Sequence, residues 1–113
     1  MPLLAIVLIA VVALMHLYFL VLEMFLWTKP QGMKVFRNTP EITKVLAANQ
    51  GLYNGFLAAG LLWAAYAGKQ DVALFFLGCV VVAALYGAYS VSKRIFYVQG
   101  VPALAAIAAV VFG

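Results

Sequence analysis

Residues 3–27 have the sequence LLAIVLIAVVALMHLYFLVLEMFLW. A helix needs roughly 20 residues to cross a hydrocarbon core of about 30 Å, so this apolar run predicts a membrane-spanning helix. Glu23 interrupts the run, and His16 is the only other ionisable side chain in it apart from tyrosine. An ionisable group inside a spanning helix costs on the order of a few kcal/mol. We therefore expect Glu23 to belong to a functional site.

The composition of the whole chain supports this interpretation. Of its 113 residues, 68% are hydrophobic and only 9% are charged, with a mean hydropathy of +1.12. A soluble domain of this size could not cover so much apolar surface, whereas lipid can. The net charge of +4 is spread among apolar runs, which argues against a nucleic-acid partner and favours membrane lipids. The single cysteine, Cys79, excludes a disulfide within the chain.

Four apolar segments, at about residues 3–27, 45–67, 72–92 and 95–112, are candidates for membrane spans. The second and third connections are tight turns, which force neighbouring helices to run antiparallel. The predicted fold is therefore an all-α membrane protein, a four-helix transmembrane bundle with antiparallel neighbours. We expect one domain covering residues 1–113. Pro102 lies early in the fourth segment, where a proline is tolerated but can kink the helix.

Basic residues predict the orientation of the bundle. Six of the seven fall in the first and third connections, namely Lys29, Lys34, Arg37, Lys44, Lys93 and Arg94. The second connection holds only Lys69, with Asp71 nearby. Because positive loops remain cytoplasmic, we expect a multi-pass protein of the cell membrane with both termini outside. In the first connection, residues 39–42 either form a short helical start to the second span or remain irregular.

Polar side chains recur in the predicted cytoplasmic half of all four helices. His16 and Glu23 are seven residues apart, so they share a helix face and are candidates for a proton donor and acceptor. In the second segment the polar side chains cover about 140° of one face, opposite Gly51, Gly55 and Ala59. We expect a pocket open to the cytoplasm, with His16 at its deep end. Its ligand-binding candidates are Trp27, Asn49, Gln50, Tyr53, Asn54, Tyr86 and Gln99.

Each of these residues also has a structural interpretation. The amides can simply join helices through hydrogen bonds, and the tyrosines can pack or lie at the membrane boundary. Trp27 can anchor that boundary, while Glu23 can reach the interface or pair with Lys29. One histidine without a cysteine cluster makes a poor metal site and cannot hold haem between two histidines. No metal or cofactor is therefore expected.

Two stretches carry a resemblance to a known family. They are Asn-Gln-Gly-Leu-Tyr-Asn-Gly-Phe-Leu-Ala-Ala-Gly-Leu at residues 49–61, and His16-Leu17-Tyr18 followed by Glu23-Met24-Phe25-Leu26-Trp27. The chain resembles, over essentially its whole length, the small membrane proteins of domain of unknown function family 1304, found in bacteria and some fungi. The resemblance implies a four-helix membrane protein and supplies no reaction. The matching motif residues are His16, Glu23, Trp27, Asn49, Gln50, Tyr53 and Asn54, with Gln99 as a weaker match.

The sequence is compatible with three functions. A carrier or binder would hold a small molecule at Glu23, as small multidrug exporters do in outline only, and would need a homodimer to form a pathway. An intramembrane acid/base enzyme would use His16 and Glu23 on a lipid-like or isoprenoid substrate. A non-catalytic accessory protein would use the same residues to hold its helices together.

Overall fold

A computed structural model describes all 113 residues, and every regular element in it is helical. The all-α prediction is confirmed, but the number of helices is five and not four. The additional helix is short, and its proline at the first position is already preset for helical geometry. It is too short to show an apolar periodicity, which is why the sequence did not predict it. The helices are α1 (Leu3–Met24), α2 (Pro30–Phe36), α3 (Lys44–Ala67), α4 (Gln70–Ser90) and α5 (Lys93–Phe112).

Three of these helices are long and apolar enough to cross a membrane. They are α1, α4 and α5, whose most apolar stretches have mean hydropathies of 2.8, 2.2 and 2.1. Helix α3 has sufficient length at 24 residues. It falls outside this group because Asn49, Gln50 and Asn54 lower its mean hydropathy. These findings are compatible with a multi-pass membrane protein.

The chain divides into two compact units, residues 1–13 with 59–113 and residues 14–58. The division crosses α1 and α3, so each of these helices contributes to both units. In the first unit, Gly60 contacts Phe76. The two residues lie on opposite sides of the turn at Gly68, at the same distance from it along the sequence. Gly87 likewise contacts Ile95 across the turn between α4 and α5. Consecutive helices in this unit therefore run antiparallel. Its buried core includes Ile9, Val12, Leu61, Leu77, Val80 and Ala106.

Gly68 ends α3 in a left-handed conformation. Its φ of 65° is one that only glycine adopts without strain. The following amide, Lys69 N, donates to Ala64 O at 3.0 Å and so satisfies a carbonyl of the last helical turn. The tight connection to α4 depends on this residue.

Helix α5 contains a π-helical turn, Phe96–Gly100, ahead of Pro102. A proline ring clashes with the carbonyl four residues earlier and has no amide hydrogen to donate. The wider turn, in which Val101 N donates to Phe96 O, accommodates the proline without ending the helix. Gln99 lies in this turn. The proline thus changes the local helix type inside a continuous α5.

We predict that Gly68→Ala lowers the free energy of unfolding by about 1 kcal/mol, because a Cβ is disfavoured at positive φ. Gly78→Ala is the matched control, since Gly78 lies within α4 and a Cβ there meets nothing within 4 Å. That change should raise the free energy of unfolding by up to about 1 kcal/mol. Thermal unfolding of the detergent-solubilised protein measures both, and equal effects would contradict the role given to Gly68.

Candidate functional site

The second unit brings α1 and α3 into close contact around Gly51. A Cβ built on Gly51 would lie 2.6 Å from Met24 Cγ and 3.2 Å from the carbonyl oxygen of Leu20. One turn further along α3, a Cβ on Gly55 would lie 2.7 Å from Leu20 Cδ1. The two helices approach this closely only because these positions lack side chains. Gly51 and Gly55 of the predicted small-residue face therefore pack against α1, whereas Ala59, the third residue of that face, is exposed.

Glu23 and Asn54 form the polar centre of this contact. Both are buried, with 8% and 7% of their surface exposed. Asn54 Nδ2 donates a hydrogen bond to Glu23 Oε1 at 2.5 Å. The sequence grouped Asn54 with the polar face opposite the glycines, but the structure buries it in the contact at Gly51, and its role in ligand binding stays a prediction. At 100° per residue Asn54 is only about 60° from Gly51, so it follows the glycine into the contact.

The remaining carboxyl oxygen of Glu23 has a different environment. Asn54 is the hydrogen-bond partner that Glu23 has, and it occupies Oε1. The hydrogen bond from Asn54 leaves the second oxygen, Oε2, available to another donor. The pair therefore holds the carboxyl in a defined orientation while one oxygen stays free to accept a hydrogen bond or a cation.

His16 is completely buried. Its ring meets that of Phe19 edge to face, with centroids 5.5 Å apart. This environment is typical of a packed histidine. The candidate roles of His16 and Glu23 as proton donor and acceptor remain a prediction.

The other predicted ligand residues are not enclosed with Glu23 and Asn54. Asn49, Gln50 and Tyr53 lie on the exposed side of α3. Tyr86 and Gln99 belong to the first unit, where Tyr86 is exposed beside Tyr89 and Gln99 is half-buried in the π-helical turn. Their common depth with Glu23, and the cytoplasm-facing pocket inferred from it, remain predictions.

One open cavity of about 580 Å³ lies in the first unit, between the two ends of the chain. Its lining is apolar and includes Pro2, Leu8, Ala105 and Phe112. It contains none of the predicted site residues. No three His, Cys, Asp or Glu side chains come together anywhere in the chain, and the lack of a metal remains a prediction.

Trp27 fastens the end of α1 to the start of α3. Its indole N–H donates to Thr43 Oγ1 at 3.1 Å and to Pro40 O at 3.3 Å. The Thr43 hydroxyl in turn donates to Pro40 O at 2.8 Å. The sequence singled out Trp27 but missed Thr43, because a lone threonine in a loop has no distinguishing pattern. We call these three residues the Trp27 cluster.

Of the two alternatives left open for residues 39–42, the short helical start is the one present, as a 3₁₀ turn, Glu41–Thr43. It follows Pro40, and no side chain caps it. Thr39 therefore does not serve as the cap, and its buried hydroxyl has no hydrogen-bond partner.

Comparison with known proteins gives one family. A profile described as "Protein of unknown function (DUF1304)" matches residues 10–111. The chain is also 31% identical over 114 residues to "Uncharacterized protein YpaA" of Lactococcus lactis subsp. lactis (strain IL1403), covering 95% of this chain and 96% of that protein. No solved structure matches the chain.

We predict that Asn54→Leu destabilises the protein, because it leaves the buried Glu23 carboxyl without its donor. The expected loss is about 1–3 kcal/mol. A double-mutant cycle with Glu23→Leu should give a coupling energy of about 0.6–1.7 kcal/mol, from the average to the maximum found for hydrogen bonds between membrane helices. Asn49→Leu is the control, since that amide is exposed on the same helix. If the losses in the free energy of unfolding from the two single substitutions simply add in the double variant, the hydrogen bond is contradicted.

We predict that Trp27→Phe lowers the free energy of unfolding by about 0.5–1.5 kcal/mol. The change removes the indole N–H and keeps an aromatic ring next to Phe36, whose centroid lies 5.3 Å away. Trp63→Phe is the matched control, because Trp63 is exposed and donates no hydrogen bond to Thr43. Thr43→Val should lower the free energy of unfolding less in the Trp27→Phe protein than in the wild type. Equal losses in the two proteins would show that the residues of the Trp27 cluster act independently.

Proposed function

Because the chain belongs to the DUF1304 family, whose description assigns no activity, we propose a function from the site itself. The chain is a multi-pass membrane protein that binds a small molecule at the Glu23–Asn54 pair and carries it across the bilayer. The hydrogen bond between Asn54 and Glu23 is the observation that supports this proposal.

In the proposed membrane arrangement, α3 joins the three more apolar helices as a fourth span. Its 24 residues are sufficient to cross. The free-energy cost of placing its polar side chains in the bilayer is reduced, because Asn54 is buried against Glu23 and does not face lipid. With four spans, the basic first and third connections lie on the cytoplasmic side and both termini lie outside.

The carboxyl group of Glu23 suits a ligand that donates hydrogen bonds or carries positive charge. Asn54 holds one oxygen, so the free oxygen can accept an N–H or O–H of a small amine, or a proton. An apolar surrounding strengthens such an interaction relative to water. Four helices of this length enclose little volume, so the proposed carrier acts as a homodimer.

The acid/base enzyme is less well supported. It requires His16 to reach a substrate together with Glu23, and His16 is fully enclosed beside Phe19. The accessory role uses the same hydrogen bond as the carrier, but for helix association alone. The two differ in whether the negative charge of Glu23 matters, which a single substitution can test.

Glu23→Gln separates these functions because glutamine keeps an oxygen that can accept from Asn54 and loses the charge. Purified protein is reconstituted into proteoliposomes with an imposed pH gradient, and uptake of the cation ethidium is followed by fluorescence. We expect uptake above that of empty liposomes for the wild type and at least a tenfold loss for Glu23→Gln, given the electrostatic role of the carboxylate.

Glu41→Gln is the matched control, since it removes the same chemical group from an exposed side chain. It should transport as the wild type does. Equal uptake by Glu23→Gln and wild type would contradict a charge-dependent site. Uptake no greater than that of empty liposomes would contradict carriage of organic cations and favour the accessory role.

A further inference from the structure

We infer that residues 29–44, here called the basic segment, bind the headgroups of anionic phospholipids. This inference rests on the multi-pass arrangement proposed above. It does not depend on a ligand at Glu23. The partner is the lipid of the membrane that the chain itself crosses, at the boundary where α1 ends and α3 begins.

The basic segment has a strong charge excess. It contains four of the seven basic residues of the chain and one of its three acidic residues, Glu41, which gives 4 − 1 = +3. Glu41 Oε1 lies 3.9 Å from Lys44 Nζ, so the carboxylate offsets the positive charge of that lysine. The side chains free to meet anions are exposed, and they are Lys29, Lys34 and Arg37. Basic clusters beside a membrane span attract anionic lipid in this way.

The basic segment is also held in shape. The Trp27 cluster ties its second half to the end of α1. In its first half, Gly32 packs against the backbone carbonyls of Leu26 and Trp27, where a side chain would not fit. A surface ordered before binding loses little conformational entropy when a headgroup arrives. The basic side chains are thus presented by a folded element.

The backbone at Arg37 is unusual. Arg37 has φ 67° and ψ −37°, and Asn38 N donates to Phe36 O at 2.7 Å across it, which makes a γ-turn. A non-glycine residue rarely adopts positive φ, and such positions often occur where a side chain has a task. Here the turn directly follows α2 and leaves the guanidinium group exposed. A planar guanidinium can bind two phosphate oxygens at once.

Two apolar side chains accompany these charges. Ile42 is 90% exposed and Met33 is 47% exposed, both within the basic segment. Basic and apolar side chains on one short element are typical of segments that lie in the headgroup layer. The combination favours a lipid surface over soluble phosphate, because a soluble anion would leave these apolar groups in water.

Full-length protein carrying Trp63→Phe keeps Trp27 as its one tryptophan, next to the basic segment. In dodecylmaltoside micelles its fluorescence is titrated with phosphatidylglycerol, phosphatidylcholine or glycerol phosphate. We expect phosphatidylglycerol to bind at least tenfold more tightly than phosphatidylcholine. Lys29→Gln, Lys34→Gln and Arg37→Gln together should weaken it roughly a hundredfold, at about fivefold per basic residue.

The remaining basic residues supply a matched control. Lys69→Gln, Lys93→Gln and Arg94→Gln remove the same total charge elsewhere, and should change the affinity less than fivefold. Arg37→Gly suits the positive φ and should weaken binding about fivefold in a protein that folds as the wild type does. Ile42→Ser should weaken binding while the salt dependence stays unchanged.

Three results would overturn the inference. They are an equal loss in the control triple variant, equal affinity for the two phospholipids, and glycerol phosphate binding as tightly as phosphatidylglycerol. Glu23→Gln should leave lipid affinity unchanged. The lipid surface and the transport site can therefore fail independently of each other.

Discussion

A buried carboxyl group in an apolar helix needs a donor from its own chain, and Asn54 provides one for Glu23. The second unit depends on meeting this requirement. Asn54 reaches Glu23 only when α1 and α3 run antiparallel in close contact, and that contact requires glycine at position 51. The connection between α1 and α3 must also align the two helices so that Asn54 lies beside Glu23. The Trp27 cluster fixes that return.

Much of this arrangement was accessible from the sequence, because long apolar runs and ionisable interruptions are strong signals. The positions of the long helices and the packing role of Gly51 and Gly55 followed from periodicity and composition, while the functional role of Glu23 stays a prediction. The number of helices did not, since α2 has only 7 residues and no repeat to recognise. Helical periodicity also placed Asn54 at the edge of the polar face of α3. Whether a residue at that edge is buried with the glycines or exposed depends on the contact with α1, which the sequence does not show.

The two proposals assign different tasks to neighbouring parts of the chain. Glu23 lies one residue from the end of α1, and the basic segment begins shortly after it. Trp27 stands between them, and its indole N–H donates to Pro40 and Thr43 within the basic segment. Each proposal therefore rests on its own side chains, the carboxyl group of Glu23 in one and the exposed basic residues in the other.

The hydrogen bond between α1 and α3 also bears on how the chain is made. Helix α3 is the least apolar of the four long helices, and a translocon releases such a segment into lipid reluctantly on its own. Synthesis proceeds from the N-terminus, so α1 is already in place, with its carboxyl group, when α3 emerges. In the proposed four-span arrangement, the Glu23 carboxyl group of α1 would then offer the Asn54 amide of α3 a hydrogen-bond partner inside the bilayer. In that proposed arrangement, the order of the helices along the chain would favour insertion of its least apolar span.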